Sequence, residues 1–393
     1  MSSVAPVGAS VGAPAPVIPP GSTIGIFGGG QLGRMIAMSA RQLGYGVVVL
    51  DPDANGPAAG LADRVIHASF EDTAAARQLA DACDVVTYEF ENVPEATVRA
   101  IEGRVPVRPD AALLGVTQDR VREHAFLHRH GVPTAPGCPV RTPDELAAAV
   151  LRFGFPSRLK SARGGYDGGG QHRIRNAAEA ALATTLLDGR EWLFERDVAF
   201  TAEVSVVVTR GVDGAVRTFP VFENEHADGI LRLTRAPARV PLPATAGAEA
   251  IARTLAEAAG LVGTLTVECF VTAEGVLVNE LAPRVHNSGH LTVEACATSQ
   301  FEQHVRAICG LPLGDTALRA PAAMVNLLGT VDRRRARLTG ADIALAVPDV
   351  HLHLYGKASV RPRRKMGHVT ALGATIEEAV ARAERAAGAL GFA

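Results

Sequence analysis

The feature that most limits the possible folds is a regular alternation of strand and helix patterns between Ser22 and about Gly115. The runs TIGIFG, GVVVLD and CDVVTYEF have the length and the β-branched content of buried strands, and helical patterns separate them. Strands that alternate with helices in this way form a parallel sheet with helices on both faces. Ligands bind such sheets at the carboxyl ends of the strands, where FGGGQLG, LDPD and YEFENVP all fall.

The first of these strand ends carries a glycine-rich turn. Gly28, Gly30 and Gly33 form the pattern G-x-G-x-x-G between a strand and a helix, and Asp51 ends the following apolar run. This arrangement is typical of dinucleotide-binding proteins, in which an acidic side chain binds the ribose. The physical content is more general, because glycines permit a tight turn and exposed amides at a helix start attract any anion. The turn therefore indicates a dinucleotide site, another phosphate site or a purely structural turn.

The size and composition of the chain limit its possible functions. At 393 residues the chain is long enough for two or three domains, each with its own core. The formal net charge of -2 provides no broad basic field for nucleic acid. Five scattered cysteines without a C-x-x-C pair argue against a disulfide framework and against a thiolate metal site. No apolar run approaches the length of a membrane span, so a cytoplasmic protein is expected.

The chain divides into a tail and three units. Residues 1–21, rich in Pro, Ala, Gly and Val, are expected to be flexible and without a packing role. The strand and helix alternation assigns residues 22–116 to an amino-terminal domain. From residue 117 to residue 316, helical segments and antiparallel strand patterns indicate an α+β domain, and residues 317–393 form a smaller unit that ends in a helix. The predicted fold class is therefore α/β and α+β.

A second glycine-rich segment, GGYDGGGQ, extends from Gly164 to Gln171 and begins four positions after Lys160. A backbone this rich in glycine is able to close over a ligand, and its amides would wrap a polyphosphate while Lys160 supplies a point charge. The segment is not a Walker loop, because no Gly-Lys-Ser/Thr follows it. A mobile surface loop without a ligand is the alternative.

Two glutamates lie on neighbouring strand patterns. Glu268 lies in TLTVECFV and Glu280 lies in GVLVNELAPR, and a tight turn joins the two runs. If Gly275 takes the left-handed position of a three-residue loop, the glutamates become direct cross-strand partners, whereas a two-residue loop pairs Glu268 with Asn279. Facing carboxylates destabilise a sheet by up to about 1 kcal/mol unless a cation neutralises them. Beside a polyphosphate-binding loop they predict a magnesium site, with two solvated glutamates as the alternative.

Two polar segments follow this strand pair. APRVHNSGH places Arg284, His286, Asn287 and His290 directly after the second strand, which predicts binding of an anion or a polar substrate. Zinc at the two histidines is the alternative, but no third ligand lies nearby in the sequence. Further on, YGKASVRPRRKMGH groups Lys357 with several arginines and a second lysine. A basic cluster of this kind suits a phosphate monoester.

Six segments that occur in a fixed order carry a family resemblance. They are GGGQLGRM, YEFENV, TQDR, LKSARGGYDGGGQ, NELAPRVHNSGH and GKASVRPRRKMGH. Together they resemble the motifs of the 5-(carboxyamino)imidazole ribonucleotide synthase family, which are ATP-grasp ligases of purine biosynthesis. The resemblance extends from Thr23 to the last helix. It implies a three-domain ATP-grasp architecture with a biotin-carboxylase-like, Rossmann-like amino-terminal domain, and it suggests a homodimer.

The resemblance also implies an activity and a distribution of roles. The family uses ATP and bicarbonate to carboxylate the exocyclic amine of 5-aminoimidazole ribonucleotide, through carboxyphosphate. The residues implied to bind ATP are Arg120, Lys160, Gly165, Tyr166, Asp167, Gly168, Gly169, Gly170, Gln171, Glu195, Arg196, Asp197, Val198, Glu203, His226, Asn279 and Glu280. Magnesium is implied at Glu268 and Glu280, in agreement with the hairpin geometry. The residues implied to contact the ribonucleotide are Gln31, Leu32, Tyr166, His286, Asn287, His290, Lys357 and Arg364, with Asp167 and Arg284 as catalytic groups.

On this resemblance the first glycine-rich turn faces the ribonucleotide and its phosphate, and Asp51 caps the next segment. The sequence departs from the family at two positions. Gly169 stands where the family usually has a basic residue, which predicts weaker substrate binding unless Arg163 or Arg173 compensates. His124 replaces a usual lysine, which would make a contact at this position sensitive to pH.

Two other functions fit part of the pattern. A nicotinamide-dependent oxidoreductase would use the first glycine-rich turn and Asp51, but it leaves the other polar segments without a role. The second possible function is that of a non-catalytic nucleotide-binding relative, in which Gly169 would be the sign of lost activity. Phosphate release from ATP that requires both bicarbonate and the ribonucleotide separates the ligase from both alternatives.

Overall fold

The computed structural model describes residues 17–164, 170–334 and 337–392. Its amino-terminal unit holds strands β1 (Thr23–Phe27), β2 (Gly46–Asp51), β3 (Arg64–His67) and β4 (Val85–Tyr88), with helices α1 (Gln31–Gln42), α2 (Thr73–Asp81), α3 (Glu95–Arg99) and α4 (Ala111–Thr117). The strands are parallel and lie in the order β3-β2-β1-β4. Helix α1 packs on one face of this sheet and helix α2 on the other, with apolar cores between them. The predicted parallel sheet with helices on both faces is therefore confirmed.

The segment before β1 is partly docked onto this unit. Ile18 N–H donates to Cys309 O at 2.9 Å, and the Tyr45 hydroxyl donates to Ile18 O at 2.7 Å. Gly21 N–H donates to Gly44 O at 2.9 Å. The prediction that residues 1–21 have no packing role is wrong for Ile18 to Gly21, because the Ile18 side chain packs against the apolar core beside α1.

A small antiparallel sheet forms the next part of the chain. This part of the chain follows helix α5 (Arg120–Arg129). It contains the strands β5 (Gly137–Val140), β6 (Ser157–Ser161), β7 (Gln171–Ile174) and β8 (Trp192–Arg196), and the helices α6 (Pro143–Phe153) and α7 (Ala177–Ala183). The strand order is β5-β8-β6-β7, with all pairs antiparallel. Apolar side chains of α6 and α7 pack against this sheet. The segment between β6 and β7 is the predicted polyphosphate loop.

A larger sheet joins the second and third predicted units. The second unit contributes β9 (Ala202–Arg210), β10 (Val216–Thr218), β11 (Phe222–Ala227), β12 (Ile230–Ala236), α8 (Leu242–Ala258), β13 (Gly263–Val271), β14 (Val276–Ala282), α9 (Thr292–Ala295) and α10 (Gln300–Cys309). The third unit contains β15 (Ala322–Leu328), β16 (Arg333–Arg334), β17 (Leu338–Thr339), α11 (Ala341–Leu345), β18 (Val350–Leu354), β19 (Ser359–Val360), β20 (Lys365–Leu372), α12 (Ile376–Ala389) and β21 (Gly391–Phe392). Strand β16 pairs with β19, and β17 with β21, in two separate two-stranded sheets.

The order along this sheet is β14-β13-β9-β11-β12-β15-β20-β18, with β10 paired to β9. Strands β12 and β15 are hydrogen-bonded neighbours, so the sheet continues across the predicted domain boundary at residue 317. The carboxyl-terminal unit therefore extends the sheet of the preceding one. Within the described ranges, no helix combines the length and the apolar character that crossing a membrane requires.

A buried histidine connects the amino-terminal unit to helix α10. The His304 side chain is fully buried, and its Nε2 lies 2.9 Å from Thr87 Oγ1 in β4. Burial lowers the pKa of His304 to about 4. The unfolded chain takes up a proton at this residue below its ordinary pKa of about 6.5, whereas the folded chain does not until about pH 4, so acid favours unfolding across this window.

We therefore expect this single group to lower the free energy of unfolding by about 2 kcal/mol between pH 7.5 and pH 5. Urea unfolding at the two pH values measures this loss of stability, and the loss is expected to be smaller in His304→Gln. His351→Gln, at an exposed histidine of β18, serves as the control and should leave the loss unchanged. Equal pH dependence in wild type and His304→Gln would contradict the assignment.

Candidate active site

The first glycine-rich turn binds two carboxylates of its own chain. Gly29 N–H donates to Asp51 Oδ2 at 2.6 Å, and the N–H groups of Gly30 and Gly33 donate to the two oxygens of Glu89 at 2.5 and 2.7 Å. The amides that a pyrophosphate or a phosphate monoester would use are therefore already hydrogen-bonded. These bonds argue against a dinucleotide or a phosphate bound directly by the turn amides, and the expectation that the turn faces the ribonucleotide stays a prediction.

The close approach of Glu89 explains the glycines. A side chain at Gly28 or Gly30 would overlap the Glu89 carboxyl, and a side chain at Gly33 would overlap Gly28 O. Gly28 also has a φ of +98°, which disfavours other residues. Asp51 additionally accepts from Asp53 N–H at 2.6 Å, which agrees with the predicted capping role.

A cleft of about 310 Å³ opens between the amino-terminal unit, the small sheet and the larger sheet. This volume is in the range of small-molecule sites. The predicted site residues that line it are Gln31, Leu32, Arg120, Lys160, Gln171, Glu195, Arg196, Asp197, Val198, Glu203, His226, Glu268, Asn279, Glu280, Arg284, His286 and Asn287. Residues that are far apart in the sequence thus share one concave surface.

Glu268 and Glu280 face each other in this cleft, by a route that differs from the predicted one. Thr272 N–H donates to Gly275 O at 2.8 Å, so the hairpin loop between β13 and β14 has two residues. This loop would place Asn279 opposite Glu268, but β14 has an extra residue there and the register shifts by one. Glu268 therefore pairs directly with Glu280, and the bulge at Asn279 is the reason.

The two facing carboxylates have different environments. Burial alone raises the pKa of Glu268, but the hydrogen-bonded His286 and the electrostatic effect of His226 and Arg284 lower it to about 2. The pKa of Glu280 is raised to about 7, because the cleft walls shield it from bulk water and Glu268 lies opposite. Glu280 is nonetheless accessible from the cleft. Two facing carboxylates of this kind attract a divalent cation.

A magnesium site in this cleft would be completed by substrate phosphates and water. In the part of the chain that the structure describes, no group of three or more His, Cys, Asp or Glu side chains is placed to hold a metal ion. Magnesium does not need such a group, because it usually binds one or two carboxylates together with substrate phosphates and water. The Glu268 and Glu280 carboxylates fit this requirement. The zinc alternative fails, since His286 contacts Glu268 whereas the His290 side chain is fully buried.

A buried ion-pair cluster forms one end of the cleft. Lys160 Nζ lies 2.5 Å from Glu195 Oε2, and His124 Nε2 lies 2.8 Å from Glu195 Oε1. Burial opposes ionisation of Glu195, but Lys160 and His124 lower its pKa to about 2. His124, which replaces the lysine usual in the family, therefore holds Glu195 on the cleft wall.

Arg163 and Arg173, which could substitute for a basic residue at position 169, form ion pairs with other residues. Arg173 lies 2.7 Å from Asp197 Oδ2, and Arg158 binds the second oxygen of the same carboxylate at 2.7 Å. Arg163 lies 2.8 Å from Asp119 Oδ2. Compensation by Arg163 or Arg173 would require these pairs to break.

Arg284 and His286 also line the cleft. The Arg284 Nε donates to Glu91, and Arg284 NH1 donates to Val285 O at 3.0 Å. Burial opposes ionisation of Glu91, but the Arg284 charge overcomes this and lowers the Glu91 pKa. His286 Nε2 lies 2.8 Å from Glu268 Oε1. The guanidinium and the imidazole are thus both fixed by glutamates on the cleft wall.

Three predicted substrate contacts do not line the cleft. The His290 side chain is fully buried, so its placement does not support a substrate contact. Burial also lowers the pKa of His290 well below the ordinary value. Lys357 Nζ donates to Gln31 Oε1 and to Lys365 O, both at 2.6 Å, and Gln31 and Lys365 do line the cleft. Arg364 NH1 donates to Ser359 O at 2.9 Å. Lys357 is therefore adjacent to the cleft wall.

The predicted polyphosphate loop is only partly within the described residues. Gly165, Tyr166, Asp167, Gly168 and Gly169 lie outside them, and their assigned roles stay predictions. Gly170 has a φ of +70°, and Gly170 O accepts from Ser161 N–H at 2.9 Å. Gln171 pairs with Lys160 across β6 and β7, which places both ends of the loop at the cleft.

Sequence reasoning missed three acidic residues of the site. Glu89 and Glu91 follow β4, and their position at the carboxyl end of a parallel strand was the available signal. Glu123 lies within α5, and its Oε2 accepts from Leu281 N–H at 3.1 Å, beside Glu280. Burial and the Glu280 charge raise the pKa of Glu123 well above its ordinary value. A glutamate inside a helix carries no sequence signal of such a role.

Three family models match consecutive parts of the chain. Residues 22–118 match the ribonucleotide synthetase preATP-grasp domain, and residues 125–301 match the ATP-grasp domain. Residues 322–382 match the phosphoribosylaminoimidazole carboxylase C-terminal domain. The order of these matches is the order of the three predicted units.

The chain is also similar to whole proteins. N5-carboxyaminoimidazole ribonucleotide synthase of Bacillus subtilis is 44% identical over 355 residues, which cover 90% of this chain and 92% of the relative. The crystal structure of N5-carboxyaminoimidazole ribonucleotide synthetase from Thermus thermophilus has a TM-score of 0.85 at 44% identity, and the match covers 92% of this chain and 98% of that one.

A third relative carries ligands. The crystal structure of N5-carboxyaminoimidazole synthase from Aspergillus clavatus, in complex with ADP and 5-aminoimidazole ribonucleotide, has a TM-score of 0.85 at 33% identity. The match covers 94% of this chain and 98% of that chain. The domain matches, the identity over nearly the full length and the shared fold lead to one conclusion: the chain belongs to the N5-carboxyaminoimidazole ribonucleotide synthase family of ATP-grasp enzymes.

Proposed function

We propose that the chain is an ATP-dependent ligase that carboxylates the exocyclic amine of 5-aminoimidazole ribonucleotide with bicarbonate, in purine biosynthesis, and releases ADP and phosphate. The observation that carries the proposal is the Glu268 and Glu280 pair inside a cleft of a chain that belongs to this family. In the reaction, a bicarbonate oxygen attacks the γ-phosphorus and ADP leaves. The resulting carboxyphosphate delivers its carboxyl carbon to the amine, phosphate leaves, and the amine loses one proton.

Magnesium is proposed as the cation of the site. Glu268 and Glu280 would hold it, because their hard oxygen ligands and facing negative charges fit this ion. When bound, magnesium supplies positive charge that offsets the phosphate oxygens. The other contributions to substrate binding and catalysis come from side chains of the protein itself.

The nucleotide end of the site is proposed at the small sheet. Lys160 is buried and held by Glu195, so its ammonium is fixed in place to neutralise phosphate charge. Arg120 NH1 donates to Ser161 O at 2.9 Å, which holds the guanidinium beside the same strand. Fixed charges of this kind cost no reorganisation during the reaction, which is the main advantage of a preorganised site.

Arg284 and His286 are proposed to bind the bicarbonate and carboxyphosphate oxygens. Arg284 presents a planar set of donors that matches a carboxylate or phosphate, and Glu91 fixes its orientation. His286 lies beside Glu268, so it is close to the proposed cation. Positioning of bicarbonate, nucleotide and amine in one enclosed cleft provides much of the rate acceleration in such reactions.

The ribonucleotide is proposed to lie beside Gln31, with Lys357 and Arg364 toward its 5′-phosphate. Lys357 contacts Gln31, which supports this position. Tyr166 and Asp167 are proposed to contact the aminoimidazole, and Asp167 to accept the amine proton. A homodimeric state and a cytoplasmic location are proposals that rest on the family resemblance.

Phosphate release from magnesium and ATP tests the proposed function. We expect release only when bicarbonate and 5-aminoimidazole ribonucleotide are both present, together with an equal amount of carboxylated product. Omission of either compound provides the control. Release that ignores both additions would overturn the proposal in favour of a plain nucleotide hydrolase, and reduction of NAD would favour the oxidoreductase.

A further inference from the structure

The backbone of His286 is held in place by a single buried side chain. Gln300 Oε1 accepts from His286 N–H at 2.9 Å, and Gln300 Nε2 donates to His286 O at 2.6 Å. Gln300 is fully buried at the start of α10. Because one amide satisfies both backbone groups, the main chain of His286 is fixed relative to the cleft. The orientation of its ring is determined separately.

The two ring nitrogens of His286 have different partners. Nε2 lies 2.8 Å from Glu268 Oε1. Nδ1 lies 2.9 Å from Ser288 Oγ and accepts from Ser288 N–H at 3.3 Å. A backbone N–H is only a donor, so Nδ1 must be an acceptor in this arrangement. The ring proton of neutral His286 therefore belongs on Nε2, where an ionised Glu268 accepts it.

A chain of buried polar groups supports Ser288 from behind. Ser205 Oγ lies 2.8 Å from Ser288 Oγ, and Asn224 Nδ2 lies 2.9 Å from Ser205 Oγ. Thr234 Oγ1 donates to Asn224 Oδ1 at 2.9 Å. Ser205, Ser288 and Thr234 are fully buried, and Asn224 is nearly so. These residues come from β9, β11 and β12, which are neighbouring strands of the large sheet.

The hydrogen bonds in this series of side chains are all donated in one direction, toward His286. Ser205 Oγ accepts from Asn224, so its own hydrogen is available for Ser288 Oγ. Ser288 Oγ accepts that hydrogen and directs its own hydrogen to His286 Nδ1. The side chain and the backbone of Ser288 thus both favour an unprotonated Nδ1. Partners of this kind commonly fix the tautomer and orientation of a functional histidine.

We propose that Ser288, supported by Ser205 and Asn224, is a positioning residue that holds His286 as the Nε2–H tautomer with this N–H directed to Glu268 on the cleft wall. The catalytic consequence rests on the proposed function: the fixed ring keeps the Glu268 carboxylate in place beside the bicarbonate and carboxyphosphate oxygens. Loss of Ser288 Oγ leaves His286 free to turn or to change tautomer. The carboxylating step then suffers more than nucleotide binding.

Steady-state kinetics test this consequence. Ser288→Ala is expected to lower kcat by about 10- to 100-fold, as loss of a partner behind a functional histidine usually does, with the KM for ATP unchanged. Ser205→Ala retains Ser288 Oγ and should lower kcat less. Ser157→Ala removes another fully buried serine hydroxyl, in β6, and serves as the matched control with wild-type kcat. If Ser288→Ala does not fold, Ser205→Ala alone decides the kinetic test.

Nitrogen NMR of the substrate-free protein tests the tautomer without any activity. The ring signals of His286 are assigned by their absence from the spectrum of His286→Asn. The spectra are compared at a pH at which the ring carries one proton, and we expect this proton on Nε2 in wild type and a mixed or exchanging tautomer in Ser288→Ala. A proton on Nδ1 of the neutral wild-type ring, or the same tautomer in Ser288→Ala, would overturn the proposal.

The two measurements also separate this inference from the proposed function. If wild type fails to carboxylate but shows the Nε2–H tautomer, the proposed function is wrong and the positioning by Ser288 is upheld. If wild type carboxylates and Ser288→Ala has an unchanged kcat, the proposed function stands and the catalytic role of Ser288 is refuted.

Discussion

Replacement of Glu280 by Gln is expected to abolish carboxylation, with kcat lower by at least about 10³-fold, or about 4 kcal/mol of transition-state stabilisation. Glu280 faces Glu268 across the β13 and β14 ladder and is accessible from the cleft. An amide at this position keeps the shape of the side chain but removes the charge that holds a divalent cation. Phosphate release with saturating magnesium, ATP, bicarbonate and ribonucleotide measures the effect.

The same substitution should not damage the fold. Like charges opposite each other destabilise a sheet by up to about 1 kcal/mol, so metal-free Glu280→Gln should unfold at the same temperature as wild type or at a higher one. Thermal unfolding in the presence of a chelator measures this. Glu274→Gln, at an exposed glutamate of the same hairpin, is the control and should be fully active. A fully active Glu280→Gln would refute the metal assignment.

Arg284→Met is expected to have a second large effect, with loss of both activity and stability. Arg284 is buried and pairs with Glu91, whose side chain is 20% exposed. Removal of the guanidinium leaves a largely buried carboxylate without this partner, which should cost about 2–3 kcal/mol of the free energy of unfolding. Loss of the anion-binding donors should also lower kcat by about 10²- to 10³-fold.

The double variant Arg284→Met/Glu91→Gln separates the two effects. Because it removes the unpaired charge, it should recover most of the stability and none of the activity. Arg99→Met disrupts an exposed pair with Glu95 and should cost less than about 1 kcal/mol. Urea unfolding and phosphate release are measured on all variants. Recovery of carboxylation in the double variant would contradict the role of Arg284 in binding the substrate anion.

Much of the fold could be predicted from local patterns. Apolar runs separated by helical segments predicted the parallel sheet, and the glutamates of β13 and β14 were predicted to face each other. The pairing of Glu268 with Glu280 nevertheless depends on a bulge at Asn279 that loop length alone does not indicate. Two deviations from the expected hairpin cancel, since a shorter loop and an extra strand residue restore the predicted register.

Long-range contacts account for what the sequence did not predict. The amides of Gly30 and Gly33 bind Glu89, which lies more than 50 positions away in the chain, so the motif alone left a phosphate site and a structural turn both open. The contact between Ser205 and Ser288 joins two residues 83 positions apart. Serines inside strands and loops give no sign of such partners before the sheet brings them together.

Transfer of oxygen-18 from bicarbonate to phosphate reports whether bicarbonate attacks ATP. With oxygen-18 labelled bicarbonate, ATP, magnesium and 5-aminoimidazole ribonucleotide, we expect one labelled oxygen in each phosphate released, because the attacking bicarbonate oxygen stays on phosphorus. Glu280→Gln should release no labelled phosphate above background. Phosphate that carries no label, while carboxylated product still accumulates, would contradict attack of bicarbonate on ATP in this cleft.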